Sequence, residues 1–401
     1  MTSEKQGEMP AEIVSASRFF PIIDEVSDYL RQQGLLKGVR VGWHCHLTWL
    51  TALSAEALLQ AGAEVFLSEC NAQTSEADAV AYMKGRGAQV YLGAESTDKV
   101  LAAEPLVLSD TGLVLVCDYL RRPRGKLVGA CEITTSGIAR LRERSDLPLP
   151  VVNINDGQLK TQIENFHGVG DGLVDGLLRM TGKMWAGRSV AVVGYGRVGA
   201  GVAQYLDRLG ARVSVVDIDP IRRLVAHYDG FVLCSLDEAM AGHELVVTAT
   251  GREGLVGRQQ WLKARDGLLV VNVGHWRHEI CLKDLQTLAR QSTPLSAHLD
   301  EFTVTGADGE KKKVFLATGG NPANVVLLSG SPEPTLIHLT TELLCLSFLV
   351  QAQQDGISLS PGEMPIPTAI ERQASLLALK ALGLQEDINQ SPELVSRDRT
   401  C

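Results

Sequence analysis

No two cysteines stand at CxxC spacing in this chain, although it has eight of them. Scattered thiols of this kind suggest neither a redox dithiol nor a thiolate zinc site, and reduced thiols in a cytoplasmic protein are the simplest expectation. No secretory leader pattern is visible, because residues 1–12 are polar. A run of basic residues is also missing, and the formal net charge is −9. That balance argues against nucleic acid as a partner, since phosphate binding needs clustered cations. Small molecules and other subunits are the partners expected instead. The longest apolar stretch, 336–350, is broken by His338, Thr340, Thr341 and Glu342. It reads as a buried helix, too short and too polar to cross a membrane. Internal repeats and low-complexity segments are absent too.

What is present is an alternation of short β-branched runs with longer amphipathic stretches. Strands are expected over 39–42, 64–67, 89–92, 106–108, 127–130 and 151–154, with a helix over 49–60. The apolar positions Ile163, Phe166, Val169, Leu173 and Leu177 recur at three and four residues, which predicts one long helix over 159–180. A second unit follows, with strand 189–193, helix 200–209 and strands 212–216, 245–248 and 268–273. Helices close the chain over 335–354 and 367–382, before a polar tail. Strands alternating with helices imply right-handed βαβ units and parallel sheets.

Within the second unit, Gly194, Gly196 and Gly199 form a GxGxxG motif between a strand and a helix. Asp217 ends the next strand. That context is what gives the motif its meaning. Gly194 permits the tight turn, Gly196 lets the backbone approach a pyrophosphate, and Gly199 lets helix and strand pack closely. Free N–H groups at the helix start, around Arg197 and Val198, suit the phosphates. Asp217 is placed to accept from both ribose hydroxyls and would repel a 2′-phosphate, so NAD is expected as the cofactor. Arg222 and Arg223 nearby could soften that argument, and a solvated helix face is the plainer reading of both.

Several further pieces stand in one order. They are Cys45-His46-Leu47-Thr48, Glu69-Cys70-Asn71, Asp110-Thr111-Gly112 and Glu132-Ile133-Thr134-Thr135-Ser136-Gly137 in the first half. Asn153-Ile154-Asn155-Asp156-Gly157-Gln158-Leu159-Lys160, the glycine loop, Asp217-Ile218-Asp219-Pro220, Thr248-Ala249-Thr250-Gly251 and Asn272-Val273-Gly274-His275 follow. With these residues the chain resembles the S-adenosyl-L-homocysteine hydrolase (adenosylhomocysteinase) family over about residues 35–330. The resemblance implies an enzyme that keeps NAD as a resident oxidant, oxidises a nucleoside 3′-hydroxyl transiently, and eliminates and hydrolyses the 5′ thioether. It implies catalytic roles for His46, Asp110, Lys160, Glu164 and His275, and substrate contacts from Thr48, Asn155 and Asn165. Cofactor contacts are implied for Thr134, Thr135, Ser136, Gly194, Gly196, Arg197, Val198, Gly199, Asp217, Thr250, Gly274 and Asn324.

Read singly, most of these have plainer roles. His46 alone is a core or surface histidine, Lys160 a solvated charge, Asp110 a turn residue, and Asn155-Asp156-Gly157 a cap and turn. His44, Cys45 and His46 alternate along a strand and complete no metal site, so no metal is expected. The departures from the family pattern gather on the substrate side. Ile133 stands where the family has a ribose-binding glutamate, and Leu50 where it reads the adenine amino group. Ser331 replaces a hinge histidine, Glu164 replaces an aspartate, and the family's terminal tail has no counterpart. A related but altered nucleoside is therefore expected as substrate. A simple NAD-dependent dehydrogenase and a non-catalytic NAD-binding regulatory homologue are the alternatives.

The expected architecture is α/β, with a Rossmann-type NAD domain (166–329) inserted in a second α/β substrate domain (12–165 with 330–385) and a tail at 386–401. The site is expected in the cleft between them, closing about hinges near Asn165 and Asn324. A cytoplasmic homo-oligomer, dimer or tetramer, is the expected assembly.

Overall fold

A computed structural model describes residues 9–274 and 277–384. His275 and the tail at 386–401 lie outside the described residues. The chain builds two sheets. The first contains β1 (Arg40–Cys45), β2 (Glu64–Glu69), β3 (Gln89–Tyr91), β4 (Val107–Asp110), β5 (Gly129–Glu132) and β6 (Pro150–Asn153). The second is inserted after these, with β7 (Ser189–Val193), β8 (Arg212–Val216), β9 (Val232–Leu233), β10 (Leu245–Thr248) and β11 (Leu268–Asn272). It continues through β12 (Ala289–Ser296), β13 (Leu299–Thr305) and β14 (Lys311–Ala317). The chain then returns to the first sheet with β15 (Gly362–Pro365).

The first sheet is wholly parallel, in the order β15-β6-β5-β4-β1-β2-β3. Its central strands are buried on both faces, as helix-covered parallel strands must be. One face packs on the helices Ile22–Gln33, Trp49–Gln60, Glu333–Gln354 and Thr368–Ala381. The second sheet runs β12-β13-β14-β11-β10-β7-β8-β9. Strands β7 to β11 are parallel, and β12 to β14 add an antiparallel meander at one edge. The sequence gives little sign of that meander, because β12 is almost entirely exposed and polar.

Several expected elements form where the periodicity placed them: Trp49–Gln60, Ser189–Val193, Arg212–Val216 and Leu245–Thr248. The expected helix 159–180 is different in kind. Leu159–Gly168 is a π-helix, and an α-helix continues it over Val169–Thr181. The Val169 amide reaches back five residues to the Glu164 carbonyl. The apolar stretch 336–350 belongs to a longer helix, Glu333–Gln354, of 22 residues. By length and composition it is the one helix among the described residues that could cross a membrane, so the expectation of a run too short is corrected. Most of it is nevertheless enclosed in the core beneath the first sheet.

Candidate active site

Open parallel sheets bind ligands where neighbouring crossovers leave in opposite directions, beyond the strand C-termini. The strand order marks two such points. In the first sheet it lies between β1 and β4, whose C-terminal ends carry His46 and Asp110. In the second it lies between β7 and β10, which end at Val193 and Thr248 and lead into Gly194 and Thr250. His46, Asp110, Gly194 and Thr250 therefore lie at or just past the C-terminal ends of the strands that flank the two switch points.

The second switch point fits a dinucleotide. Gly194 has a φ of +95°, a region that other residues rarely enter. A Cβ on Gly199 would overlap the Gly194 carbonyl oxygen, so this position must be glycine. Gly196 precedes the helix Arg197–Arg208, whose start has no capping side chain. The orphan N–H groups there are available to an anion. Asp217 is buried, and its two oxygens accept from the amides of Tyr195 (2.6 Å) and Asp219 (2.8 Å). Each oxygen keeps a lone pair for a ribose hydroxyl. Arg222 Nη1 stands 4.0 Å from the Asp217 carboxylate, and Arg223 donates to the Asp217 carbonyl. Both arginines thus stand beside Asp217, Arg222 exposed and Arg223 half-buried. On the far side of the loop, Thr250 and Gly251 are held by the buried Glu279, which accepts from both amides and from the Thr250 hydroxyl. Gly274 packs so closely on Glu279 that a Cβ there would overlap the carboxylate. The Asn324 amide oxygen is buried with no hydrogen-bond partner. A buried orphan acceptor invites a donor, and a nicotinamide carboxamide supplies one. The glycine cradle and this orphan oxygen together fit NAD.

The first switch point is rich in carboxylates. Asp110 is fully buried, and its oxygens accept from the amides of Thr111 (2.9 Å) and Val116 (2.9 Å) at the start of helix Val114–Arg121. Glu132 is enclosed beside it and accepts from the amides of Gly112, Leu113 and Thr134. Desolvation pushes both carboxyls up, and the Asp110 charge adds to the rise at Glu132. The amides pull Asp110 partly back. In this geometry Asp110 anchors the loop 111–113 through the amides of Thr111 and Val116. Thr134 caps the helix Thr135–Arg142, Thr135 donates to the Asn155 amide oxygen (3.0 Å), and Ser136 touches the Thr134 hydroxyl. Thr48 caps Trp49–Gln60. His46 sits just past β1, with Nδ1 2.6 Å from the Thr74 hydroxyl.

Lys160 and Glu164 pair one turn apart on the π-helix, and both are largely enclosed. Asn165 follows, half-buried. Because the π-helix packs on both the long helix Glu333–Gln354 and the helix Arg197–Arg208, it links the two switch points. A second link runs through Gly330 and Ser331, whose amides donate to Asp175 and Asp171. Leu50 and Ile133 both pack against the apolar core of the first sheet. Neither offers an acceptor.

The sequence reading gave no site role to Glu132, Glu279, His338 or Glu342. The last two had a visible signal. They are polar residues four apart inside an apolar run, which is the spacing of a buried pair on one helix face.

A profile described as "S-adenosyl-L-homocysteine hydrolase, NAD binding domain" matches residues 165–326. The S-inosyl-L-homocysteine hydrolase of Methanocaldococcus jannaschii is 31% identical over 399 residues, covering 96% of this chain and 94% of that protein. The adenosylhomocysteinase of Sulfolobus acidocaldarius is 31% identical over 393 residues, covering 93% and 92%. Among solved structures, the A chain of dipicolinate synthase from Bacillus subtilis matches at TM-score 0.45 and 13% identity, covering 79% of this chain and 98% of that one.

Proposed function

Because the chain belongs to the S-adenosyl-L-homocysteine hydrolase family and takes NAD as its cofactor, we propose that it hydrolyses the 5′ thioether of a nucleosyl-homocysteine whose base is not adenine. The observation that carries this reading is uneven retention. The glycine cradle, Asp217 and the Lys160–Glu164 pair are in place, while Leu50 and Ile133 lie in apolar contact where the family has carboxylates. A site with no acceptor for an exocyclic amine forgoes the hydrogen bond by which adenine is told from its analogues. The 6-oxo purine of an inosyl group, which some relatives are named for, needs no such acceptor.

Bound NAD supplies a two-electron oxidant for a secondary alcohol. Lys160 is the group that takes the proton of the 3′-hydroxyl, and Glu164 neutralises the ammonium that results. His46, held through Nδ1 by Thr74, handles the proton needed at the 5′ sulfur. Asp110 and Glu132 fix the loop at 111–113 and the Thr134 cap, and so shape the wall of the cleft. We take 12–165 with 330–385 as the substrate domain and 166–329 as the cofactor domain. Closure about the π-helix and the Gly330 crossing then excludes water from the oxidised sugar.

The test is thiol release from S-inosyl-homocysteine and S-adenosyl-homocysteine by the NAD-loaded protein. A kcat/KM ratio above about ten in favour of the inosyl compound supports the reading, since one lost polar contact is worth about that factor or more. Equal turnover of both, or a preference for the adenosyl compound, contradicts it.

A further inference from the structure

The π-helix that carries Lys160 begins without a cap of its own. Its N-cap residue, Gln158, gives no side-chain capping hydrogen bond. Amides at the start of a helix have no acceptor within it, so one must come from elsewhere. Here it comes from 212 positions further along the chain. Glu371, in the first turn of the helix Thr368–Ala381, accepts from the Leu159 amide at 2.9 Å. Leu159 immediately precedes Lys160.

The neighbouring contacts are built around this approach. A Cβ on Gly157 would overlap the Ile366 side chain and stand 3.1 Å from the Glu371 carboxylate. Bare backbone there lets the turn 153–159 lie on the returning segment 362–371. A second set of bonds latches β15, at the start of that segment, to the same turn. Arg142 forks onto Glu363 through Nε (2.9 Å) and Nη2 (2.7 Å), and Nη2 also reaches Asp156 (2.7 Å). Asn153 Nδ2 donates to both carboxylates, Asp156 at 2.9 Å and Glu363 at 2.7 Å. Arg142 is exposed, so this latch contributes direction more than energy. It holds β15 against the end of β6, and so sets where Glu371 can reach.

We propose that Glu371 is a positioning residue for Lys160, pinning the first turn of the π-helix so that the amine stands within reach of a sugar hydroxyl. This inference rests on Lys160 being the base of the proposed reaction. Glu164 cannot do this work, because it pairs with Lys160 from the same helix and moves with it. At its C-terminal end the π-helix is seated by Phe166 on Gly201 and by Gly168 on Pro334. At its N-terminal end the anchor is Glu371, whose negative charge also suits the positive end of a helix. Proton transfer needs the base at hydrogen-bond distance, and a shift of about 1 Å can cost about a hundredfold in rate.

The test compares NAD-loaded, full-length Glu371→Ala and Glu371→Gln with the unchanged protein. The substrate is S-inosyl-homocysteine or S-adenosyl-homocysteine, whichever is turned over faster, with hydrogen or deuterium at the 3′ carbon. Glu371→Ala is expected to lower kcat by roughly ten- to a hundredfold at unchanged NAD occupancy, with a smaller change in KM. Its isotope effect should rise, because oxidation of the sugar becomes the slow step. Glu371→Gln keeps an acceptor oxygen and the shape of the side chain, so it should fold as the unchanged protein does and stay within about threefold of its rate. Loss of rate with an unmoved isotope effect means a merely structural role and overturns the proposal, as does a Gln variant as slow as the Ala variant. Hydrogen exchange without substrate reads the anchor by itself. Peptides spanning 157–162 should exchange faster in Glu371→Ala, and unchanged exchange there also overturns the proposal. Lys160→Ala separates the two claims. If it keeps turnover, the catalytic assignment of Lys160 fails, whereas the exchange still reads what Glu371 does to the turn.

Discussion

Gly201 lies so close to Phe166 that a Cβ on it would overlap the Phe166 carbonyl oxygen. Gly201 belongs to the first turns of the cofactor helix, and Phe166 to the π-helix that carries Lys160. The contact therefore seats the helix that carries Lys160 directly on the helix that follows the glycine loop. Two residues further along the π-helix, at its C-terminal end, a Cβ on Gly168 would crowd Pro334 of the long helix.

Gly201→Ala is expected to harm the protein, although alanine ordinarily stabilises a helix interior by up to about 1 kcal/mol relative to glycine. Relief of the overlap must shift backbone, at a cost of about 1–3 kcal/mol. Calorimetry should show a lower Tm. Turnover should fall by more than NAD occupancy, because the displaced element carries Lys160 and not the phosphate site.

Gly199→Ala strikes the cofactor instead. Its Cβ would overlap the Gly194 carbonyl oxygen, inside the turn that cradles the pyrophosphate. The purified variant is expected to carry little NAD, measured by chromatography of the denatured protein. NAD occupancy equal to that of the unchanged protein would contradict the geometry.

The parts legible in the sequence were those where one residue type has one physical use. GxGxxG followed by an aspartate could be placed because each glycine answers a separate steric demand, and β7 and β8 form where the apolar runs put them. The π-helix was not legible. Its apolar spacing matches an α-helix, and its close contacts, Phe166 with Gly201 and Gly168 with Pro334, join it to residues distant in sequence. The loop-locking carboxylates Glu132 and Glu279 were invisible for another reason. A glutamate that gathers two or three backbone N–H groups looks, in sequence, like any surface glutamate. Asp110 was noticed, but as an acid–base group. Its amide partners were beyond what spacing can reveal.

Asp217 and Arg222 are expected to set cofactor choice between them. The carboxylate disfavours a 2′-phosphate, and the guanidinium 4.0 Å away would welcome one. Asp217→Ala is expected to weaken NAD binding by roughly ten- to a hundredfold, the worth of charge-assisted hydrogen bonds of about 1.5–3 kcal/mol. The preference for NAD over NADP should narrow in the same variant. Titrations of the cofactor-free protein with both dinucleotides would check this.

Glu342 also leaves a mark on stability. Its carboxyl rises from 4.5 to about 7 on folding, so the folded state holds this proton more tightly than the unfolded state does. The group then costs nothing below pH 4.5, costs progressively more as pH rises to about 7, and levels off above that. The full penalty is about 3 kcal/mol at most. Glu342→Gln escapes it. Denaturant melts should therefore show the variant gaining on the unchanged protein between pH 4.5 and 7, with a constant difference above.

The most direct test of NAD as a recycled oxidant is absorbance at 340 nm during turnover of S-inosyl-homocysteine by the NAD-loaded protein, with released thiol counted in parallel. A signal that rises, stays below one equivalent per chain and returns, while many equivalents of thiol appear, is the expected result. Absorbance that accumulates in step with substrate consumed would make the protein a simple dehydrogenase. Thiol release from protein stripped of NAD would equally contradict the account.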